Sequence, residues 1–266
     1  MNSLTDTHCH LYLPHFDNDR ETIIKQAIDY GINKILVPGI DIATSEQALN
    51  LCAIYPNVVY AAIGIHPNSK NDYVEKSIEQ LKTLAKSEHV VAIGEIGLDY
   101  YRLINSIEQQ KRMMQFQLDI ATELNLPVCI HNREASEDVI QIVEKWKDCF
   151  RGKNLPSNPT GVFHSFNGNL ETANRIINLG FYLGITGSIT FSSNRELGNV
   201  IKKISKEKIL IETDAPYLTP HPFRGQRNIP VYVKYVAQKL SDLYQSELQA
   251  IENITSENAD DLFKWN

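Results

Sequence analysis

"VVAIGE", Val90 to Glu95, is a short apolar, β-branched run that stops on a carboxylate. Runs of this kind, bounded by polar residues, are strand signals. The form recurs along the chain, giving strand candidates at Leu4–His8, Lys34–Val37, Val58–Gly64, Val90–Glu95, Pro127–His131, Gly161–His164, Phe181–Ile185 and Lys208–Glu212. Between them lie amphipathic, helix-like stretches: Arg20–Tyr30, Ser45–Ile54, Val74–Lys86, Ile107–Leu124, Glu134–Trp146, Leu170–Leu179 and Arg195–Ile204. Pro230–Leu240, Glu247–Glu252 and Ser256–Phe263 are further helical candidates after the eighth strand. Alternation of strand and helix implies parallel pairing through crossovers. Eight such units in roughly 210 residues fit an α/β fold, a closed (β/α)8 barrel of TIM type with extra C-terminal helices. An open doubly wound sheet is the competitor, but it usually has fewer strands and a Gly-rich phosphate turn. Neither GxGxxG nor GxxxxGK[ST] occurs. No linker or low-complexity segment divides the chain, so residues 1–266 are expected to form one domain. The one loose stretch is "FRGKNLPSNPTG", Phe150 to Gly161, before the sixth strand.

Composition narrows the class. The hydrophobic fraction of 42% is ordinary for a soluble globular chain. No apolar run approaches the ~20 residues that span a bilayer, and the N-terminus lacks the basic-then-apolar pattern of a signal peptide. Cys9, Cys52, Cys129 and Cys149 have no CxxC spacing and read as reduced thiols, so a cytoplasmic location is expected. A net charge of −6 argues against a general nucleic-acid coat protein. It leaves a phosphodiester substrate open, because bound divalent cations would dominate the local field.

The ionisable residues cluster at strand ends. His8 and His10 close the first strand, His66 follows the third, Glu95, His131 and His164 end the fourth, fifth and sixth, and Asp214 follows the eighth. In a parallel barrel these ends share one face, where (β/α)8 enzymes carry their active sites. His89 precedes its strand and belongs to the opposite face. Eight histidines in 266 residues yield only about a quarter of a chance His-x-His pair, so "THCH" gains weight from this company. Residues two apart share one side of a strand. If His8 points into the barrel mouth, so does His10, while Cys9 faces the helices. The same rule places Cys129 inside the barrel as a small apolar filler.

Four imidazoles and two carboxylates converging in one mouth are costly without a cation. The set suits two metal ions bridged by Glu95, with His8, His10 and Asp214 on one and His131 and His164 on the other. Such donors accept Zn, Mn, Ni or Co, and Mg where water completes the shell. A metal pair ~3.5–4 Å apart can bind a hydroxide nucleophile and clamp an in-line transition state. Asp214, touching both metal and attacking water, is the expected general base.

"DTHCHL", "GIHP", "GEIGLDYY", "PVCIHNR", "HSFNG", "ETDAPYL" and "RGQRNIP" resemble, in order, the motifs of the TatD family of metal-dependent deoxyribonucleases in the amidohydrolase superfamily. "ITSENADDLF" resembles its closing helix, so the likeness spans nearly the whole chain. It implies a (β/α)8 barrel with divalent metals that hydrolyses DNA, often from 3′ ends. Its metal ligands carry over to His8, His10, Glu95, His131, His164 and Asp214. Many superfamily relatives bridge their metals with a carbamylated lysine; Glu95 resembles the TatD alternative. The Phe150–Gly161 excursion departs from the family by its length and puts the substrate rim in doubt.

Further expectations concern that rim. His66 is a candidate for a substrate phosphate, against a loop-holding role before Pro67. Asp99, Tyr100, Tyr101 and Arg102, in the loop after Glu95, are candidates for a rim that contacts substrate, against packing of the tyrosines over the barrel. Arg224 and Arg227 are candidates for phosphate contacts, against ion pairs that tie down a long loop, and Asn228 is a candidate helix cap. "KKISKEK", Lys202 to Lys208, lies toward the wrong face and reads as a solvated charge run. The expected function is a metal-dependent nuclease acting on DNA as a 3′–5′ exonuclease, with a metal-bound hydroxide as nucleophile. The alternatives are a small-molecule hydrolase opening an amide, lactone or phosphoester on the same site, and a non-catalytic metal-binding scaffold. DNA ends or short single strands are the expected partner, with no membrane and a monomeric chain.

Overall fold

The computed structural model of the protein describes residues 4–70, 75–149 and 160–265. Eight strands form one sheet in sequential order, and every neighbouring pair is parallel. They are β1 (Leu4–Asp6), β2 (Ile32–Pro38), β3 (Val59–Ile63), β4 (Val90–Asp99), β5 (Val128–Arg133), β6 (Gly161–Phe163), β7 (Tyr182–Ile185) and β8 (Ile209–Ile211). The first and last strands meet to close the barrel. Thr7 N donates to Ile211 O at 3.1 Å, Asp214 N donates to His8 O at 2.8 Å, and Cys9 bridges Ala215 in parallel.

Helices α1 (Arg20–Asp29), α2 (Ile42–Ile54), α3 (Glu75–Leu84), α4 (Ile107–Leu124), α5 (Ser136–Asp148), α6 (Leu170–Asn178) and α7 (Arg195–Ile201) fill the crossovers, and α8 (Val233–Tyr244) and α9 (Leu248–Phe263) follow β8. Among the described residues, none is long and apolar enough to cross a membrane. Local chemistry sets several boundaries. Helix α2 starts before the predicted Ser45 because Asp41 and Thr44 form a reciprocal capping box, with Thr44 N donating to the Asp41 carboxylate at 2.7 Å. Helix α5 starts after the predicted Glu134 because that residue sits at φ +55°, outside helical geometry. The two separate segments expected at Glu247–Glu252 and Ser256–Phe263 are one helix, α9.

The inner layer of the barrel is a cluster that includes Leu36, Tyr60, Val91, Cys129, Val162 and Leu210, joined by Ala259, Leu262 and Phe263 of α9. Helix α9 thus plugs the barrel end opposite the catalytic mouth, and Cys129 lies in the barrel interior as its strand period implied. Tertiary burial of Thr255 and Asn258 holds the centre of α9 helical.

Strand β4 is longer than the Val90–Glu95 reading. Its pairing with β5 breaks register between Ile93 and Ile96, then resumes as Gly97 beside His131 and Asp99 beside Arg133. Glu95 therefore sits within an irregularity of the strand, where such bulges re-aim side chains. Gly97, at φ +141°, has no room for a side chain: a Cβ would lie 2.0 Å from His131 O. The residues 150–159 of the predicted excursion lie outside the described residues.

Candidate metal centre

Glu95 stands at the middle of the site, and its two carboxylate oxygens face different neighbours. Oε2 lies 3.5 Å from His8 Nε2 and 3.8 Å from His10 Nε2. Oε1 lies 2.8 Å from His131 Nδ1 and 2.9 Å from His164 Nε2. Asp214 completes the first group, with Oδ1 3.4 Å from His10 Nε2 and 3.9 Å from His8 Nε2. Its backbone is held at φ +54°, a left-handed conformation that Asp tolerates.

The donor set fits divalent cations. His8 Nε2 faces His10 Nε2 at 3.3 Å, and His131 Nδ1 faces His164 Nε2 at 3.2 Å. Two imidazole lone pairs directed at one another repel unless a proton or cation lies between them. His8, His10 and Asp214 offer ligand atoms within 4.8 Å of one another, as do His8, Glu95 and His164, and His66, Glu95 and His131. Mixed imidazole and carboxylate donors suit borderline cations such as Zn or Mn.

Outer contacts orient the rings. Tyr12 Oη lies 2.9 Å from His10 Nδ1, Asp99 Oδ2 lies 3.3 Å from His131 Nε2, and Glu212 Oε1 lies 3.7 Å from His164 Nδ1. Each carboxylate or phenol sits on the ring edge away from the centre, an arrangement that fixes tautomers in metal sites. Glu212 is fully buried and accepts a hydrogen bond from Ser165 N. Asp6 is equally buried and accepts from Thr213 N at 2.9 Å and Thr213 Oγ1 at 2.6 Å, tying β1 to β8 just below the ligands. Burial outweighs these bonds and pushes the Asp6 carboxyl up to about 8.

His66 differs from the other histidines. Its Nδ1 accepts from Asn68 N at 3.0 Å, so a neutral ring carries its proton on Nε2, which lies 3.4 Å from Glu95 Oε1. Burial, with His131 alongside, lowers its pKa to about 4, so the ring is neutral at pH 7. It is built as a hydrogen-bond donor into the site. Burial alone would raise the Glu95 carboxyl, yet the imidazoles of His164 and His66 and the hydrogen bonds from His131 and His164 hold it well below the usual range. Asp214 is likewise raised by burial but held down by its hydrogen bond from His10 and by His8.

A family model described as TatD related DNase matches residues 5–264. The chain belongs to the TatD family. It is similar to a Bacillus subtilis protein named uncharacterized metal-dependent hydrolase YabD, 40% identical over 99% of this chain and 100% of that one. It is 34% identical to the 3′-5′ ssDNA/RNA exonuclease TatD of Escherichia fergusonii, over 93% of this chain and 94% of that one. The crystal structure of YJJV, a TatD homologue from Escherichia coli K12, superposes with a TM-score of 0.89 at 31% identity, covering 98% of both chains. This TatD chain is accordingly a metal-dependent hydrolase.

Around the TatD site lies a cavity of about 990 Å³, lined among others by His10, His66, Glu95, Asp99, His131, His164 and Asp214. The rim candidates have different surroundings. Asp99 is buried behind His131 and accepts hydrogen bonds from Tyr101 N, Arg102 N and Asn68 Nδ2, so it shapes the wall from beneath. Tyr101 is exposed but carries the Arg133 guanidinium 4.1 Å above its ring and does not line the cavity. Arg224 stacks 3.7 Å over Phe191, also off the cavity. Arg227 makes a two-pronged ion pair with Asp19 at 3.0 and 2.6 Å and donates to His15 O, bracing the long loop after β8 against the start of α1. Asn228 is buried and donates to Thr213 O and Tyr217 O, so it fastens the same loop instead of capping the next helix by its side chain. The cations that do line the cavity are Lys70, Arg102 and Arg133.

Asp6, Glu212 and Tyr12 belong to the site without standing out in the sequence. The strand period that linked His8 to His10 also links Asp6 to His8 and Glu212 to Asp214. Arg133 likewise follows His131 by two. Lys70 carries no local signal.

Proposed function

We propose that this hydrolase removes nucleotides from the 3′ ends of single-stranded DNA or RNA, using two divalent cations that Glu95 would help to hold. His8, His10 and Asp214 would hold one, and His131 and His164 the other. The observation that carries this reading is the division of the Glu95 oxygens, Oε2 toward His8 and His10 and Oε1 toward His131 and His164. When bound, the cations acidify water and neutralise phosphate charge. The second Asp214 oxygen accepts the proton of the attacking water. His66 Nε2–H donates to a phosphate oxygen. Lys70, Arg102 and Arg133 hold neighbouring phosphates in the cavity. The relatives named 3′-5′ ssDNA/RNA exonuclease support the substrate class and polarity.

The test uses single-stranded oligonucleotides labelled at the 5′ end, incubated with purified protein in Mg, Mn, Zn, Ni or Co and in chelator. The expected result is a ladder shortening one nucleotide at a time from the 3′ end, abolished by chelator. Intact oligonucleotides with every metal, alongside turnover of a lactone or small ester, would overturn the reading in favour of a small-molecule hydrolase.

A further inference from the structure

We infer that Tyr217 is the stacking platform for the base of the 3′-terminal nucleotide, an inference that rests on the nuclease reading above. Among the described residues seven large hydrophobic side chains are strongly exposed, and four of them, Tyr101, Leu103, Ile104 and Tyr217, lie on the loops after β4 and β8. Apolar exposure concentrated at one mouth marks a ligand-contacting surface. Two of the four, Ile104 and Tyr217, line the cavity itself, whereas Tyr101 lies outside its lining and has Arg133 over one face of its ring.

Tyr217 is 51% exposed, yet its position is fixed. Its N–H donates to Asp214 O at 2.9 Å, and its carbonyl accepts from buried Asn228 Nδ2 at 2.6 Å. Its ring meets the His10 ring edge-on, with centroids 6.4 Å apart. A flat group lying on the Tyr217 face is therefore next to the Asp214 and His10 ends of the candidate metal centre, within the reach of one nucleoside. Arg102 lines the same cavity, so a cation and the aromatic ring share its wall. An aromatic platform and a cation in one cavity match a base joined to its phosphates, and stacking tolerates any base because each has a π-face. The backbone that carries the ring is already fastened, so little backbone freedom is lost on binding.

The experiment compares kcat/KM for two single-stranded oligonucleotides that differ only at the 3′-terminal residue, one with a base and one abasic. The ratio of the two is independent of the fraction of active enzyme, so a partly unfolded variant still reports. Wild type is expected to favour the base-bearing end by on the order of tenfold, the scale of one base stacked on an aromatic ring. Tyr217→Ala should collapse that preference toward one, while Tyr217→Phe and Tyr217→Trp keep it. A preference that survives Tyr217→Ala, or no preference in an active wild type, overturns the platform and leaves the nuclease reading standing. A wild type inactive on both oligonucleotides overturns both together.

Discussion

Asp99 sits behind His131, its Oδ2 3.3 Å from Nε2, while Nδ1 on the other side of the ring faces Glu95 Oε1 at 2.8 Å. The carboxylate thereby holds the proton on Nε2 and leaves the Nδ1 lone pair for a cation. Asp99→Asn removes the charge and should weaken metal binding about 10- to 100-fold, the usual effect of losing such an outer partner. Metal titration of the stripped protein measures it. Unchanged affinity would show that Asp99 serves only the loop whose Tyr101 and Arg102 amides it accepts.

Glu95 has the widest reach of any ligand candidate, since each oxygen serves a different histidine pair. Glu95→Gln is expected to lower metal content at both positions, whereas His131→Ala should deplete chiefly one. Metal per chain, measured after dialysis against a defined concentration, separates the two. Full occupancy in Glu95→Gln contradicts a bridging carboxylate.

Arg227 tests whether the loop after β8 is braced or substrate-facing. Arg227→Ala removes the Asp19 ion pair and the bond to His15 O. The pair is partly exposed, so the loss should be about 0.5–1 kcal/mol, a fall in melting temperature of a few degrees at most. The Arg227 hydrogen bond holds the Asp19 carboxyl below its ordinary value. A depressed acid stabilises the fold above its unfolded pKa, near 3.9. That contribution is lost as pH falls through the lower folded value. The part of the melting difference that the Asp19 ion pair supplies should therefore be full at pH 6–7 and shrink as pH falls below about 3.9, while the part from the His15 O bond persists. An equal difference above and below that range would reject the ion pair as its source.

Much of this architecture was visible in the chain because it is periodic or local. Short apolar runs alternating with helices dictate parallel crossovers, and "HCH" places two imidazoles on one side of β1. The same period contained Asp6 and Glu212, unnoticed because a buried carboxylate one step below a ligand looks like ordinary strand punctuation. The extension of β4 beyond Glu95 depends on a register break against β5, which only pairing reveals. Arg227 and Asp19 lie 208 residues apart, so no spacing argument could join them. Position after β8 leaves Arg224 and Arg227 open between phosphate contact and loop bracing, and among the described residues the lysine and arginine side chains lining the cavity are Lys70, Arg133 and Arg102, the last of them in the rim loop after Glu95.

Asp214 carries the most demanding prediction, because it is both the ligand candidate and the base of the proposed reaction. Its amide is bonded to His8 O at 2.8 Å and its carbonyl to Tyr217 N at 2.9 Å, so the backbone is pinned on both sides. Asn tolerates the same left-handed conformation, so Asp214→Asn should keep the fold and the side-chain volume. What it loses is charge and the capacity to accept a proton. Metal affinity should weaken at the His8–His10 position, and assays must therefore run at saturating metal. Under those conditions oligonucleotide binding, followed by fluorescence anisotropy, should stay within a few-fold of wild type. Turnover should drop by about 10²–10⁴, the contribution of a positioned base. A metal-loaded Asp214→Asn enzyme with near-normal kcat would remove Asp214 from proton transfer and leave it as a ligand alone.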